Sequence, residues 1–168
     1  MNEEMTFDAL ESFIKQFTAK NFLDTNNCWI RDDKIFLVSA GLFSTIQKLK
    51  PLQLYAAGLF LGKSRGSQFF PSVNLLGLIV PHAHSIVIVN EGASFLFVCG
   101  RDILSQGIIS AKGHQEKGGL VLVLNEHHDC LGFGKLLKKI GQPGAIVKNI
   151  FDIGDFLRRE VKKRVFNR

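Results

Sequence analysis

From residue 85 onward the chain is a series of short apolar runs cut by glycine, and that pattern restricts the fold more than any other feature. Ile86-Val87-Ile88-Val89, Phe95-Leu96-Phe97-Val98, Leu120-Val121-Leu122-Val123-Leu124 and Ala145-Ile146-Val147 have the length and composition of strands. Gly92, Gly100, Gly107, Gly113, Gly118, Gly119, Gly132, Gly134, Gly141 and Gly144 lie between or within them. Many short strands with glycine turns predict a compact β-barrel or sandwich. Between two of the runs, residues 101–106 read as a single helical segment.

Before residue 81 the texture differs. Phe7, Leu10, Ile14 and Phe17 recur at helical spacing, which predicts an amphipathic helix over 6–20. Cys28-Trp29-Ile30-Arg31 and Lys34-Ile35-Phe36-Leu37-Val38 flank the turn-favouring pair Asp32-Asp33, a hairpin pattern. A short helix is expected over 42–49, ending before Pro51. A strand follows over 52–61, weakened or bent by Gly58 and Gly62, and then a turn-rich stretch over 62–66. Residues 73–79 read as a short buried helix stopped by Pro81. The change of texture sets a boundary near 81–84, with no repeat and no low-complexity linker.

Composition adds exclusions. At 168 residues, 46% hydrophobic and 21% charged, the chain is ordinary globular protein rather than a disordered one. No apolar run approaches the roughly 20 residues that cross a bilayer. The opening Met1-Asn2-Glu3-Glu4-Met5 is acidic, unlike a signal peptide, so a soluble, intracellular protein is expected. Cys28, Cys99 and Cys130 are odd in number and form no CxxC pair, which favours buried thiols in a reducing compartment.

The formal charge of +6 is unevenly placed. Residues 157–168 hold six cations against Glu160, a net of +5, so the remainder nets +1. Asp152 or Asp155 is expected to cap a helix here. In that helix Leu157, Val161 and Val165 would form an apolar stripe beside a cationic arc of Arg158, Arg159, Lys162 and Lys163. A concentrated patch points to a polyanionic partner, although a solvated basic tail explains the same residues. Phe166, between Arg164 and Arg168, stands out as a base-stacking candidate; most of the 15 phenylalanines lie in apolar runs and belong in cores.

Catalytic patterns are weak. Gly58-Leu59-Phe60-Leu61-Gly62-Lys63-Ser64 ends like a phosphate-binding loop, but Ala57 stands where the first glycine must be. His127-His128-Asp129-Cys130 is the most ligand-like cluster, with His82, His84 and His114 elsewhere. Adjacent residues in a tight turn cannot all converge on one ion, and a polar turn ahead of Leu131 is the simpler reading. There is no G-x-S-x-G elbow and no deaminase H-x-E…C-x-x-C spacing. Glu3-Glu4 and Asp32-Asp33 need only solvent.

Cys99-Gly100-Arg101-Asp102-Ile103-Leu104-Ser105-Gln106-Gly107-Ile108 resembles the segment near the start of PUA domains. Leu131-Gly132-Phe133-Gly134 resembles the strand where that fold carries a glycine pair. Further matches are Asp33-Lys34-Ile35-Phe36-Leu37-Val38-Ser39, Gly58-Leu59-Phe60-Leu61-Gly62-Lys63, Glu91-Gly92-Ala93 and Asp152-Ile153-Gly154-Asp155-Phe156-Leu157-Arg158. They occur in family order over nearly the full length, so the chain is similar to Nip-seven-type ribosome biogenesis factors of archaea and eukaryotes. Eukaryotic members usually carry Pro-Gly-Ala at Glu91-Gly92-Ala93 and have less basic C-termini, so this chain is archaeal-like.

The resemblance implies an α+β protein. Residues 1–83 would form an α/β protein-interaction domain with a mainly antiparallel sheet, and residues 84–168 a PUA pseudo-β-barrel that binds RNA. It implies an RNA-binding assembly factor in large-subunit pre-rRNA maturation, not an enzyme, with no catalytic residues, cofactor or metal. The expected RNA contacts are Arg158, Arg159, Lys162, Lys163 and Arg164; Lys135, Lys138, Lys139 and Lys148 of the same domain would extend the groove, although scattered surface lysines are the commoner explanation. Expected partners are pre-rRNA, other assembly factors and an RNA methyltransferase, with no membrane and a monomeric free state. The setting would be cytoplasmic for an archaeal member and nucleolar for a eukaryotic one. The alternative is a protein–protein adaptor that recruits a methyltransferase or assembly factor without touching RNA.

Overall fold

The structure, a computed structural model, describes residues 3–49, 54–113, 116–155 and 158. The chain divides into two compact units, Met1–His82 and Ala83–Arg168.

In the first unit, helix α1 (Glu3–Lys15) buries Ala9, Leu10, Phe13 and Ile14 along one face. Strands β1 (Cys28–Arg31) and β2 (Lys34–Leu37) form the expected hairpin, with Arg31 opposite Lys34 and Asp32-Asp33 as a two-residue turn. Asp32 takes φ 57°, a left-handed conformation that short polar side chains tolerate. Helix α2 (Ala40–Lys48) starts where the Ser39 side chain accepts the Leu42 N–H. Its Ile46 packs with Phe36 and Val38.

The strand expected over 52–61 lies further along: β3 runs Leu59–Arg65. Gly62 does not end it but sits mid-strand opposite Pro71 of β4 (Gln68–Pro71), and the turn falls at Gly66-Ser67. The turn-rich stretch over 62–66 is therefore mostly strand. The sheet is antiparallel in the order β1-β2-β3-β4. Helix α3 (Val73–Ile79), capped by Ser72, buries Leu75, Leu76 and Ile79 completely and packs on β3.

The second unit is a six-stranded sheet in the order β6-β10-β9-β8-β5-β7. The strands are β5 (Ser85–Val89), β6 (Ile103–Leu104), β7 (Ile108–Gly113), β8 (Leu120–Leu124), β9 (Cys130–Leu136) and β10 (Ala145–Asp152). All neighbours are antiparallel except β5 and β8. β6 and β7 lie at opposite ends of this order, yet only the 3-10 turn Ser105–Gly107 joins them. A flat sheet would hold its outer strands about 24 Å apart, whereas four Cα steps reach at most about 14 Å. The sheet must therefore curl until its edges approach, which makes the barrel.

Two expectations fail here. Residues 95–98 are not a strand but the end of helix α4 (Glu91–Val98), and 101–106 are not a helix but β6 and the 3-10 turn. A four-residue apolar run cannot distinguish the two states; the caps decide. Asn90 accepts the Ala93 N–H at 2.9 Å. Gly100, at φ 87°, ends the helix with paired bonds from Gly100 N–H to Phe97 O and from Arg101 N–H to Leu96 O. Phe97 of α4 is fully buried with Val87, Val89, Ile103, Val121, Val123, Ile146 and Val147.

Candidate nucleic-acid interface

β10 ends in a polar network that the sequence did not announce. Asp152, expected as a possible helix cap, is instead the last strand residue, and its side chain is 1% exposed. Arg158 grips it bidentately, Nη1 to Oδ1 at 2.9 Å and Nη2 to Oδ2 at 2.7 Å. The Asp152 carboxylate also accepts the Gly154 N–H at 2.9 Å and the Asn149 Nδ2 at 3.1 Å. Asn149 Nδ2 donates to Phe97 O, and Arg158 Nη1 to Val98 O. Those carbonyls close α4, where the negative end of the helix dipole favours a cation. A Cβ at Gly154 would overlap Val98 O and press on the guanidinium, so only glycine leaves this space.

The network locks the start of the C-terminal segment to the barrel. Arg158 N–H bonds to Gly154 O, the i→i+4 bond of a helical turn. The hydrogen bonds that Arg158 donates to the Asp152 carboxylate raise the guanidinium pKa above its ordinary value. Of the five expected RNA contacts, Arg158 is thus engaged by protein, with its side chain 36% exposed. Arg159, Lys162, Lys163 and Arg164, like Phe166 and the apolar stripe from Leu157, lie outside the described residues.

The scattered lysines of the sequence are less scattered in the fold. Lys135 of β9 stands directly opposite Lys148 of β10, both exposed. Lys138 Nζ donates to Pro143 O across the turn that joins these strands, and Lys139 beside it is exposed. Phe95 of α4, expected in a strand core, is 70% exposed with Leu96 beside it at 51%. Its signal was the Asn90 cap, which sets the helical phase that puts Phe97 inward and Phe95 outward.

The weak chemical motifs resolve as structure. Lys63 and Ser64 lie in β3, and the fully buried Ser64 hydroxyl donates to Gly66 O. His127-His128-Asp129 is the turn between β8 and β9, organised by Asn125 Oδ1 accepting the His127 and Asp129 N–H groups. Among the described residues no group of three or more His, Cys, Asp or Glu is placed to hold a metal. Burial pushes the thiols of Cys28 and Cys130 up to about 11, while Cys99 is exposed. No helix among the described residues is long and apolar enough to cross a membrane.

The UPF0113 PUA domain model matches residues 85–161, and the NIP7/UPF0113 pre-PUA domain model matches residues 2–73. The chain belongs to the NIP7/UPF0113 family. It is 28% identical over 133 residues to a UPF0113 protein of Archaeoglobus fulgidus, covering 76% of this chain and 74% of that one. An uncharacterized protein of Methanocaldococcus jannaschii is 28% identical over 98 residues, which is 54% of this chain and 59% of that one. A conserved PUA domain protein of Thermoplasma acidophilum is similar in structure at TM-score 0.51 and 26% identity, covering 63% of this chain and 72% of that one. A hypothetical protein of Pyrococcus horikoshii shares the fold across 95% of this chain and 96% of its own, at TM-score 0.59 and 17% identity. The archaeal-like, two-domain NIP7-type resemblance and the α+β fold with a PUA domain are thereby established. These domains imply an RNA-binding, ribosome-biogenesis-type role.

Proposed function

We propose that this NIP7/UPF0113 protein is a non-catalytic assembly factor that binds pre-rRNA during large-subunit maturation. The observation that carries the reading is the coupling, in one chain, of a PUA barrel to the NIP7-type pre-PUA domain. The barrel supplies a rigid body, and the +5 segment that follows β10 supplies phosphate contacts. In this reading Arg158 anchors that segment through Asp152, while Arg159, Lys162, Lys163 and Arg164 reach RNA. The protein works as a monomer, in the cytoplasm, and its first unit meets other assembly factors.

RNA affinity should be measured against salt for the full chain and for a truncation after Arg158, which keeps the Asp152 pair intact. Counterion release predicts a slope of about −0.7 per contacted phosphate on single strands, and a shallower slope on truncation. An absence of binding by the full chain would overturn the reading.

One observation favours the adaptor alternative, in which the chain recruits a methyltransferase or assembly factor. Among the described residues β1 pairs only with β2, and along it runs a groove of about 520 Å³ lined by Phe7, Trp29 and Phe43 together with Asn26, Arg31 and Gln47. An open strand edge beside a groove of mixed polar and apolar lining accepts extended peptides. Partner recovery that survives nuclease treatment and is lost in Trp29→Ala would support it; recovery that depends on intact RNA would not.

A further inference from the structure

Charge in this chain is segregated more sharply than the overall +6 conveys. Residues 130–151 hold Lys135, Lys138, Lys139 and Lys148 and no Asp, Glu or Arg. With the +4 of this stretch and the +5 of residues 157–168 set aside, everything else nets −3. Positive charge is thus drawn into two adjoining segments, β9–β10 and the segment into which β10 leads.

Register makes the first segment more than a lysine-rich stretch. Lys135 and Lys148 are direct cross-strand partners, where Cβ atoms stand about 5 Å apart and like charges repel. Neither forms an ion pair with a described residue. An acid or a threonine at either position would stabilise the ladder, and a single lysine would keep the surface solvated. Packing and solubility therefore leave the pair unexplained. An anion seated between the two ammonium groups would turn their repulsion into a shared attraction.

We propose that the exposed face of β9 and β10 around Lys135 and Lys148 is a phosphate-binding surface for RNA, separate from the C-terminal segment. This rests on the RNA-binding reading above. Lysine is a compact point charge without the planar fork that reads base edges, so the surface holds backbone and adds affinity rather than sequence choice.

The test uses the full chain and a uridine oligomer of about 20 nucleotides, with affinity followed by fluorescence anisotropy over a range of salt. Lys135→Thr with Lys148→Thr should reduce the slope of log affinity against log salt by about 1.4 and weaken binding about twenty-fold at about 0.1 M salt, two phosphate contacts' worth. Lys135→Glu separates recognition from folding: it creates an opposite-charge pair, so its thermal midpoint should rise while RNA affinity falls. If the wild type binds and the double variant keeps its slope and affinity, the surface is refuted and the RNA reading stands. If the wild type does not bind at all, both fall together.

Discussion

The middle and the end of β10 handle charge in opposite ways. At Asp152 a buried carboxylate meets a guanidinium in a bidentate pair, and two further N–H donors complete the site. Four residues earlier Lys148 faces Lys135, like against like, with no acid in the surrounding 130–151 stretch. The first arrangement satisfies its groups within the protein and makes structure. The second leaves them exposed and without an ion pair among the described residues, at some loss of stability, and so available to a ligand. A basic residue is thus better judged by what the fold has placed beside it than by its neighbours in sequence.

The difference can be broken most forcefully at Arg158. Arg158→Ala leaves the Asp152 carboxylate buried with only the Gly154 and Asn149 donors, and should cost about 2–4 kcal/mol of stability, read as a lower urea midpoint. Asp152→Asn should cost less, about 1–2 kcal/mol, because the half-exposed guanidinium it releases can be solvated. A larger loss in Asp152→Asn than in Arg158→Ala would show that the network is held together differently.

The lysine pair should show the reverse pattern. Replacing both Lys135 and Lys148 with threonine should raise stability by a few tenths of a kcal/mol, measured by the same urea titration, as the cross-strand repulsion disappears. A clear loss of stability would mean that the lysine stems contribute packing that outweighs their repulsion.

The smallest effect concerns pH. Cys28 and Cys130 are raised by burial from 9.0 to about 11, so their protonated thiols support folding fully below about pH 9. That support is lost as pH climbs from about 9 through 11, when the unfolded chain ionises first. Thiol labelling at about pH 8 should accordingly modify exposed Cys99 well before Cys28 or Cys130. Equal labelling of all three would contradict their burial.

Much of this was legible where the signal is local. Asp32-Asp33 between two apolar runs specifies a two-residue hairpin, and the spacing of Phe7, Leu10 and Ile14 specifies an amphipathic helix, which runs 3–15 rather than the expected 6–20 and leaves the buried Phe17 in the turn after it. The glycine-cut runs after residue 85 carried the barrel, and the ordered family motifs carried the PUA assignment. Residues 95–98 misled because four apolar residues suit either state, and only Asn90 before them and Gly100 after them mark the helix. Gly62 read as a breaker because a glycine paired within a strand looks no different in sequence from one in a turn.

The site was less legible because it depends on long-range geometry. Asp152 and Arg158 are six apart, a spacing that no helix or strand brings together; the turn after β10 does so. Lys135 and Lys148 meet through a register shaped by an eight-residue connection and a bulge between Asn149 and Phe151. Neither pairing follows from counting cations.

The most direct test of the account is the salt dependence of RNA affinity in Arg158→Ala beside Lys135→Thr/Lys148→Thr, under conditions where both remain folded. An unchanged slope is expected for Arg158→Ala, and a slope shallower by about 1.4 for the double lysine variant. A slope that falls in Arg158→Ala and holds in the lysine variant would contradict it, because the paired charge would then be the ligand contact and the unpaired ones mere surface.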